Sequence, residues 1–171
     1  MDRILQRGRT PLRLPLAHTR HKVEQVTLYL GIDPGRTTGY CWVSYRDKQL
    51  LLHDFQNLPW PKFMDWVKAW NDKAYDYTSN SLNENIVVVC EDFILRKSAG
   101  WTPTPVDKQI GVCYGKAYDL GWTFVLQQPS IKPAGYKMAK YKGTPTHWAD
   151  SYAHVVYAIH QGVDPNQKII W

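Results

Sequence analysis

The sequence has no long apolar run: nothing in its 171 residues approaches the roughly 20 consecutive residues that cross a bilayer, and the N-terminus lacks the apolar core of a secretory signal. The expectation is a cytoplasmic protein with no membrane partner. Cysteine is scarce as well. Cys41, Cys90 and Cys113 are odd in number, far apart and free of any C-x-x-C, which argues against a disulfide framework or a thiolate metal site and for small buried residues in a reducing compartment. Internal repeats and low-complexity tracts are missing too, so solenoid and fibrous architectures drop out. A chain of 171 residues holds one domain and a short arm, with a core large enough to need no disulfide.

Aromatics and positive charge are what the sequence does have. Eight Trp and eleven Tyr supply flat, hydrogen-bonding surface that serves equally in a core or for stacking on bases. Twenty-one basic against 15 acidic residues leave a net charge of +6, which favours a polyanionic partner. The excess is concentrated: residues 1–25 hold Arg3, Arg7, Arg9, Arg13, Arg20 and Lys22 against Asp2 and Glu24, four of the six net charges. Pro11 and Pro15 break any helix there, so 1–25 reads as a flexible basic arm; an organellar transit leader is the minor alternative, weakened by Asp2 and the prolines.

From Val26 the pattern sharpens. Val26–Asp33 is an apolar, β-branched run closed by Pro34-Gly35, and Gly39–Tyr45 and Leu50–Gln56 follow as strands around a hairpin turn at Arg46-Asp47-Lys48. Pro61 suits a first helical turn, and Phe63, Trp66, Val67, Trp70, Ala74 and Tyr77 then recur at helical spacing, predicting one amphipathic helix. After a polar loop over 78–85, Ile86–Glu91 reads as a buried strand, Val106–Leu120 as a helix closed by Gly121, and Trp122–Leu126 as a strand parallel to the last. Residues 127–143 read as a lysine-rich loop, and Thr144-Pro145 as N-cap and first residue of a final helix ending near Gln161. The order is βββαβαβα: an α/β domain over 26–162 with a mixed five-stranded sheet flanked by helices, then a short tail over 163–171.

The acids that close apolar strands carry the chemistry. A carboxylate lodged in a sheet is costly unless a cation or hydrogen bonds offset it. Asp33 ends one apolar run and Glu91 another; singly each fits a solvated turn residue, but as neighbours their ends would lie about 5 Å apart, close enough to share a metal ion. His147 and Asp150, at i and i+3 of the final helix, share a face. Taken alone His147 is a first-turn residue and Asp150 a favourable partner of the helix dipole; set beside two strand-end carboxylates they complete a candidate Mg²⁺ or Mn²⁺ cluster. Two such ions about 4 Å apart can activate water and stabilise the leaving oxygen in phosphodiester hydrolysis.

Gly31-Ile32-Asp33-Pro34-Gly35 followed by Thr38-Gly39, the strand ending at Glu91, the stretch Gln127-Gln128-Pro129-Ser130-Ile131-Lys132 and the H-x-x-D-S start of the final helix together resemble the RuvC-type Holliday junction resolvases, including phage-encoded ones, over about residues 28–160. The resemblance implies an RNase H-like fold, a homodimer and cutting of four-way DNA junctions by paired symmetric nicks with divalent metal, two ions per site. It implies that Asp33, Glu91, His147 and Asp150 are metal ligands, and that Lys132 is a basic residue near the scissile phosphate. Many members have Asp where His147 stands, a departure that bears on metal preference. Phe93 falls near an aromatic that stacks on junction bases, with a packed core ring as the alternative. Arg36, Arg96, Lys97, Lys137, Lys140 and Lys142 would offset the acids' repulsion of DNA by contacting phosphates, or form a solvated charged face. The helix over 106–120 resembles the dimer helix, and a two-fold dimer suits paired cuts.

Three other readings stand beside this one. A nuclease of the same fold could act on another nucleic acid, and a metal-free DNA-binding module could keep the fold without the chemistry, although four ligand-type residues speak against that. Asp-Pro-Gly with Thr-Thr-Gly also resembles the phosphate loop of actin-like ATPases, but those need two such domains where 171 residues supply one.

Overall fold

A computed structural model describes residues 26–77, 85–92 and 104–163, and the backbone of 169–170. The basic arm over 1–25 and Phe93, Arg96 and Lys97 lie outside the described residues. Strand β1, Thr27–Asp33, is buried along almost its whole length and forms the centre of the sheet. Strand β2, Thr37–Arg46, returns antiparallel to it, and β3, Gln49–Pro59, returns antiparallel to β2. Their hairpin is the expected one: Asp47 and Lys48 take φ of 52° and 62°, the left-handed pair that a two-residue turn needs to match strand twist.

Helices α1, Trp60–Lys68, and α2, Trp70–Tyr77, stand where a single helix was predicted. The break at Ala69 goes with two demanding aromatics: Trp66 stacks on Tyr40 of β2 at 3.9 Å, whereas Trp70 turns fully inward to stack on Trp122 at 6.1 Å. Strand β4, Asn85–Glu91, then pairs parallel with β1, and β5, Thr123–Gln127, parallel with β4. Between them runs α3, Pro105–Asp119, opened by a reciprocal capping box of Thr104 and Asp107. The sheet is mixed as expected, and the order β3-β2-β1-β4-β5 is extended by a two-residue strand β6, Ile169–Ile170, in what the sequence suggested was only a tail.

Two further departures matter for function. The lysine-rich segment is not all loop: a 3₁₀ turn at Pro129–Ile131 leads into α4, Lys132–Met138, because Pro133 sits at the helix start where its missing N–H costs nothing. The final helix α5, His147–His160, begins later than Thr144-Pro145 implied, since Thr146 is the residue whose side chain accepts from Ala149 N–H.

The two faces of the sheet are packed differently. Leu28, Leu30, Ile32, Trp42, Val88 and Cys90 point to the side of α1 to α3, in a core rich in indole rings. Tyr29, Cys41, Val43, Val87, Val89 and Val125 point to α5, which meets them with Val155 and Ala158. The parity of β1 and β4 places Asp33 and Glu91 on this second face. No helix among the described residues is long and apolar enough to cross a membrane.

Candidate metal centre

Parallel pairing of β1 with β4 runs to Ile32 opposite Cys90, so the next residue of each strand, Asp33 and Glu91, emerges at the same sheet edge. What brings α5 against them is the absence of side chains. A Cβ on Gly31 would lie 2.5 Å from the Ser151 carbonyl oxygen, and one on Gly39 would collide with the His147 carbonyl group. Helix backbone thus rests directly on sheet backbone, and the first turn of α5 hangs over the end of β1. Gly135 of α4 likewise abuts the Ala153 carbonyl, which draws α4 in beside α5.

Four of the expected residues and Lys132 meet there. Lys132 Nζ sits 2.6 Å from Glu91 Oε2, 2.9 Å from Asp150 Oδ2 and 3.3 Å from Asp33 Oδ1, one ammonium shared by three carboxylates. His147 Nδ1 lies 2.8 Å from Asp33 Oδ2. Asp33 is nearly buried, with 6% of its side chain exposed, whereas His147 is half exposed. The cluster is thus open on the side of the helix start and closed toward the sheet.

Electrostatics sort the carboxylates. Burial pushes Asp33 up to about 7, the adjacent Glu91 adds to the rise, and Lys132 and His147 pull the other way. Burial opposes ionisation of Glu91 too, but hydrogen bonds with His154, Asp33 and Lys132 outweigh it and hold that carboxyl at about 2. Proximity of the two acids thus raises one carboxyl, while the cation and the imidazole at Glu91 lower the other. Burial alone would lower the Lys132 pKa, yet Glu91, Asp33 and Asp150 raise it well above the usual range, so the lysine is firmly cationic.

The residues present fit a divalent cation. Asp33, His147 and Asp150 each bring one ligand atom within 4.8 Å of the others, the spread that a single ion with oxygen and imidazole ligands spans. Lys132 already marks the position as one where positive charge is held. Glu91 stands apart from that group of three, engaged by Lys132 and by His154 Nε2 at 3.1 Å.

Three contributors were missed in the sequence. His154 is completely buried, and its second ring nitrogen lies 3.0 Å from Gln127 Oε1, so it ties Glu91 to the neighbouring strand. Tyr136 places its hydroxyl on Asp150 Oδ1. Gln127 stands opposite Glu91 in the β4–β5 register. The signal for His154 was present in H-x-x-D-x-x-x-H, whose i, i+3 and i+7 positions share a helix face. Arg36, Lys137, Lys140 and Lys142 are exposed, and among the described residues none of them forms an ion pair with the four site residues.

No protein-family model and no curated protein matches the chain. Solved structures do. A RuvC structure from Thermus thermophilus matches with a TM-score of 0.55 at 15% identity, over 80% of this chain and 97% of that one. The T. thermophilus RuvC in complex with Holliday junction substrate matches with a TM-score of 0.53 at 13% identity, with the same coverage of each. The likeness shows the fold: an RNase H-like mixed sheet with flanking helices.

Proposed function

We propose that this chain is a metal-dependent endonuclease for branched DNA, with the four-way junction as its substrate. The observation that carries the reading is the convergence of Asp33, Glu91 and Asp150 on the Lys132 ammonium, with His147 against Asp33, at the strand ends of an RNase H-like sheet. The complex of a like fold with Holliday junction substrate supports the choice of DNA.

In this reading Asp33, His147 and Asp150 would hold a divalent ion, Mg²⁺ or Mn²⁺, and Glu91 would be a ligand of a second. A bound ion supplies a water of lowered pKa and neutralises charge developing on the phosphate. The remaining work falls to the chain. Asp33 and Asp150 offer carboxylate oxygens to the ion, Lys132 is the cation nearest the scissile phosphate, and His154 keeps Glu91 aimed while Tyr136 does so for Asp150. Arg36, Lys137, Lys140 and Lys142 take backbone phosphates, Arg96 and Lys97 are proposed to join them, and Phe93 is proposed to stack on junction bases. Hydrolysis without a covalent intermediate leaves 5′-phosphate and 3′-hydroxyl ends, and a homodimer through α3 places two nicks symmetrically.

Cleavage assays on junction, flap, duplex and RNA–DNA hybrid with Mg²⁺ or Mn²⁺ test it. Paired nicks in the junction support the reading; cutting of the hybrid alone assigns the site to another nucleic acid. A second reading draws on Lys132 itself: an ammonium already neutralises the acids, as a metal-free binding module would require. Calorimetric titration with Mn²⁺ decides, because such a module takes up no ion.

A further inference from the structure

An aromatic row leads away from the acid cluster across three elements of separate origin. Tyr136 and Tyr141 stack at 5.4 Å, Tyr141 meets Trp148 edge-on at 6.0 Å, and Trp148 lies against Phe55 at 4.4 Å. One end is anchored in the site, where the Tyr136 hydroxyl donates to Asp150. The other end is open: Phe55 is 47% exposed in β3, the edge strand of the sheet.

The row is held in place before any ligand arrives. Trp148 N–H donates to Asn57 Oδ1 at 2.9 Å, pinning the α5 start to β3, and the Tyr141 hydroxyl donates to the Thr144 carbonyl at 3.1 Å. Pairing of Phe55 with Cys41 sets its ring on the α5 face, away from the indole core. Lys137, Lys140 and Lys142, all exposed, flank the row on the same segment that supplies the two tyrosines. Flat rings give sequence-tolerant stacking for bases and flanking ammonium groups meet phosphates, a pairing of features that suits an extended strand of nucleic acid better than an apolar protein surface.

We infer that Phe55, Trp148, Tyr141 and Tyr136 form a stacking platform for the unpaired bases of the DNA strand presented to the acid cluster. The inference rests on the nucleic-acid reading above and adds to it a stacking surface separate from Phe93, built from β3, α4 and the segment after it, and the start of α5, for bases splayed out of the duplex and read by their faces and not by their edges.

The test is binding of a single strand of about 12 nucleotides, mostly thymidine with one central 2-aminopurine, to the full chain in Ca²⁺. Stacking quenches 2-aminopurine, so the wild type is expected to bind and quench. Phe55→Ala and Phe55→Leu are expected to weaken binding about tenfold and to restore fluorescence, while Phe55→Tyr keeps both, because one stacking partner contributes a factor of that order. Tyr75→Ala, at an exposed ring on α2, serves as the surface control. Phe55 is exposed, so its variants should melt like the wild type; Lys140→Glu, which removes one flanking ammonium, is expected to weaken binding while leaving the quench of the bound strand unchanged. Unchanged binding in Phe55→Ala, or a Phe55→Leu that binds as tightly as the wild type, overturns the platform. A wild type that binds and quenches yet cuts no DNA in Mn²⁺ keeps the platform and overturns the nuclease.

Discussion

The two faces of the sheet solve opposite problems. Toward α1 to α3 the core is filled by volume: Trp42, Trp70 and Phe63 are among its largest buried side chains, and rings of Trp66, Trp70 and Trp122 lie against one another. Toward α5 it is filled by proximity, with Gly31, Ala149, Ser151 and Ala153 fully or nearly fully buried and glycine permitting backbone to touch backbone. Bulky rings can be exchanged for other apolar groups at modest cost, because neighbouring side chains rearrange. A helix lying on a sheet has no such slack. The close face is also the one that carries Asp33, Glu91 and Asp150, whose side chains are short and meet only if their backbones do.

The sharpest break between the faces concerns activity. Asp33→Asn keeps the shape and removes one ligand charge, so cleavage should fall about a thousandfold or more, several kcal/mol of barrier, while junction binding persists. Paired nicking and gel-shift measurements on the same preparation check it; full activity in the variant would remove Asp33 from the chemistry.

Next in size is the lysine cage. Lys132→Gln leaves three carboxylates without their common cation, and in chelator the melting transition should drop by about 2–3 kcal/mol of stability. That is less than for a fully buried pair, since 21% of the Lys132 side chain is exposed and Asp33 can take up a proton. Added Mn²⁺ should recover most of the loss, because an ion bound to the native state alone stabilises it by mass action. If Mn²⁺ restores nothing, the acids do not hold a divalent ion.

Much of this geometry was legible in the sequence because strand and helix signals are local. β1 and β4 announced themselves as apolar runs, α5 by its capping residues, and Asp33 and Glu91 by ending those runs; parallel pairing then set them side by side. What stayed hidden depends on distant contacts. Gly39 looked like part of a motif, and its reason, the His147 carbonyl, lies more than a hundred positions away. The helix in the lysine-rich segment was masked by Lys132-Pro133 and by Gly135, which read as loop residues until α5 supplies the surface on which they pack. The break at Ala69 was equally invisible, since only the partners of Trp66 and Trp70 reveal that one straight helix cannot serve both rings.

Smaller still in energy, and more direct as a comparison, is one added methyl against one lost ring. Gly39→Ala should destabilise by about 1–3 kcal/mol and push the first turn of α5 off the cluster, lowering cleavage with it. Phe63→Leu, in the aromatic core, should cost about 1 kcal/mol and leave the cutting rate per folded molecule unchanged. Thermal melts and single-turnover cleavage separate the two, and equal losses of activity would erase the distinction between the faces.

The smallest effect has the opposite sign. Gly111 stands exposed in the middle of α3, and a Cβ built there meets nothing within 4 Å. Gly111→Ala should therefore stabilise by about 0.5–1 kcal/mol, because alanine loses less backbone freedom on entering a helix. In a chain of this size that is a rise in Tm of about 2 °C. The same change also probes the proposed dimer: a second copy packed closely on this stretch of α3 would meet the new methyl, and the gain would turn into a loss that deepens as protein concentration rises. Melts at two concentrations resolve the alternatives, since a free helix face gives the same gain at both.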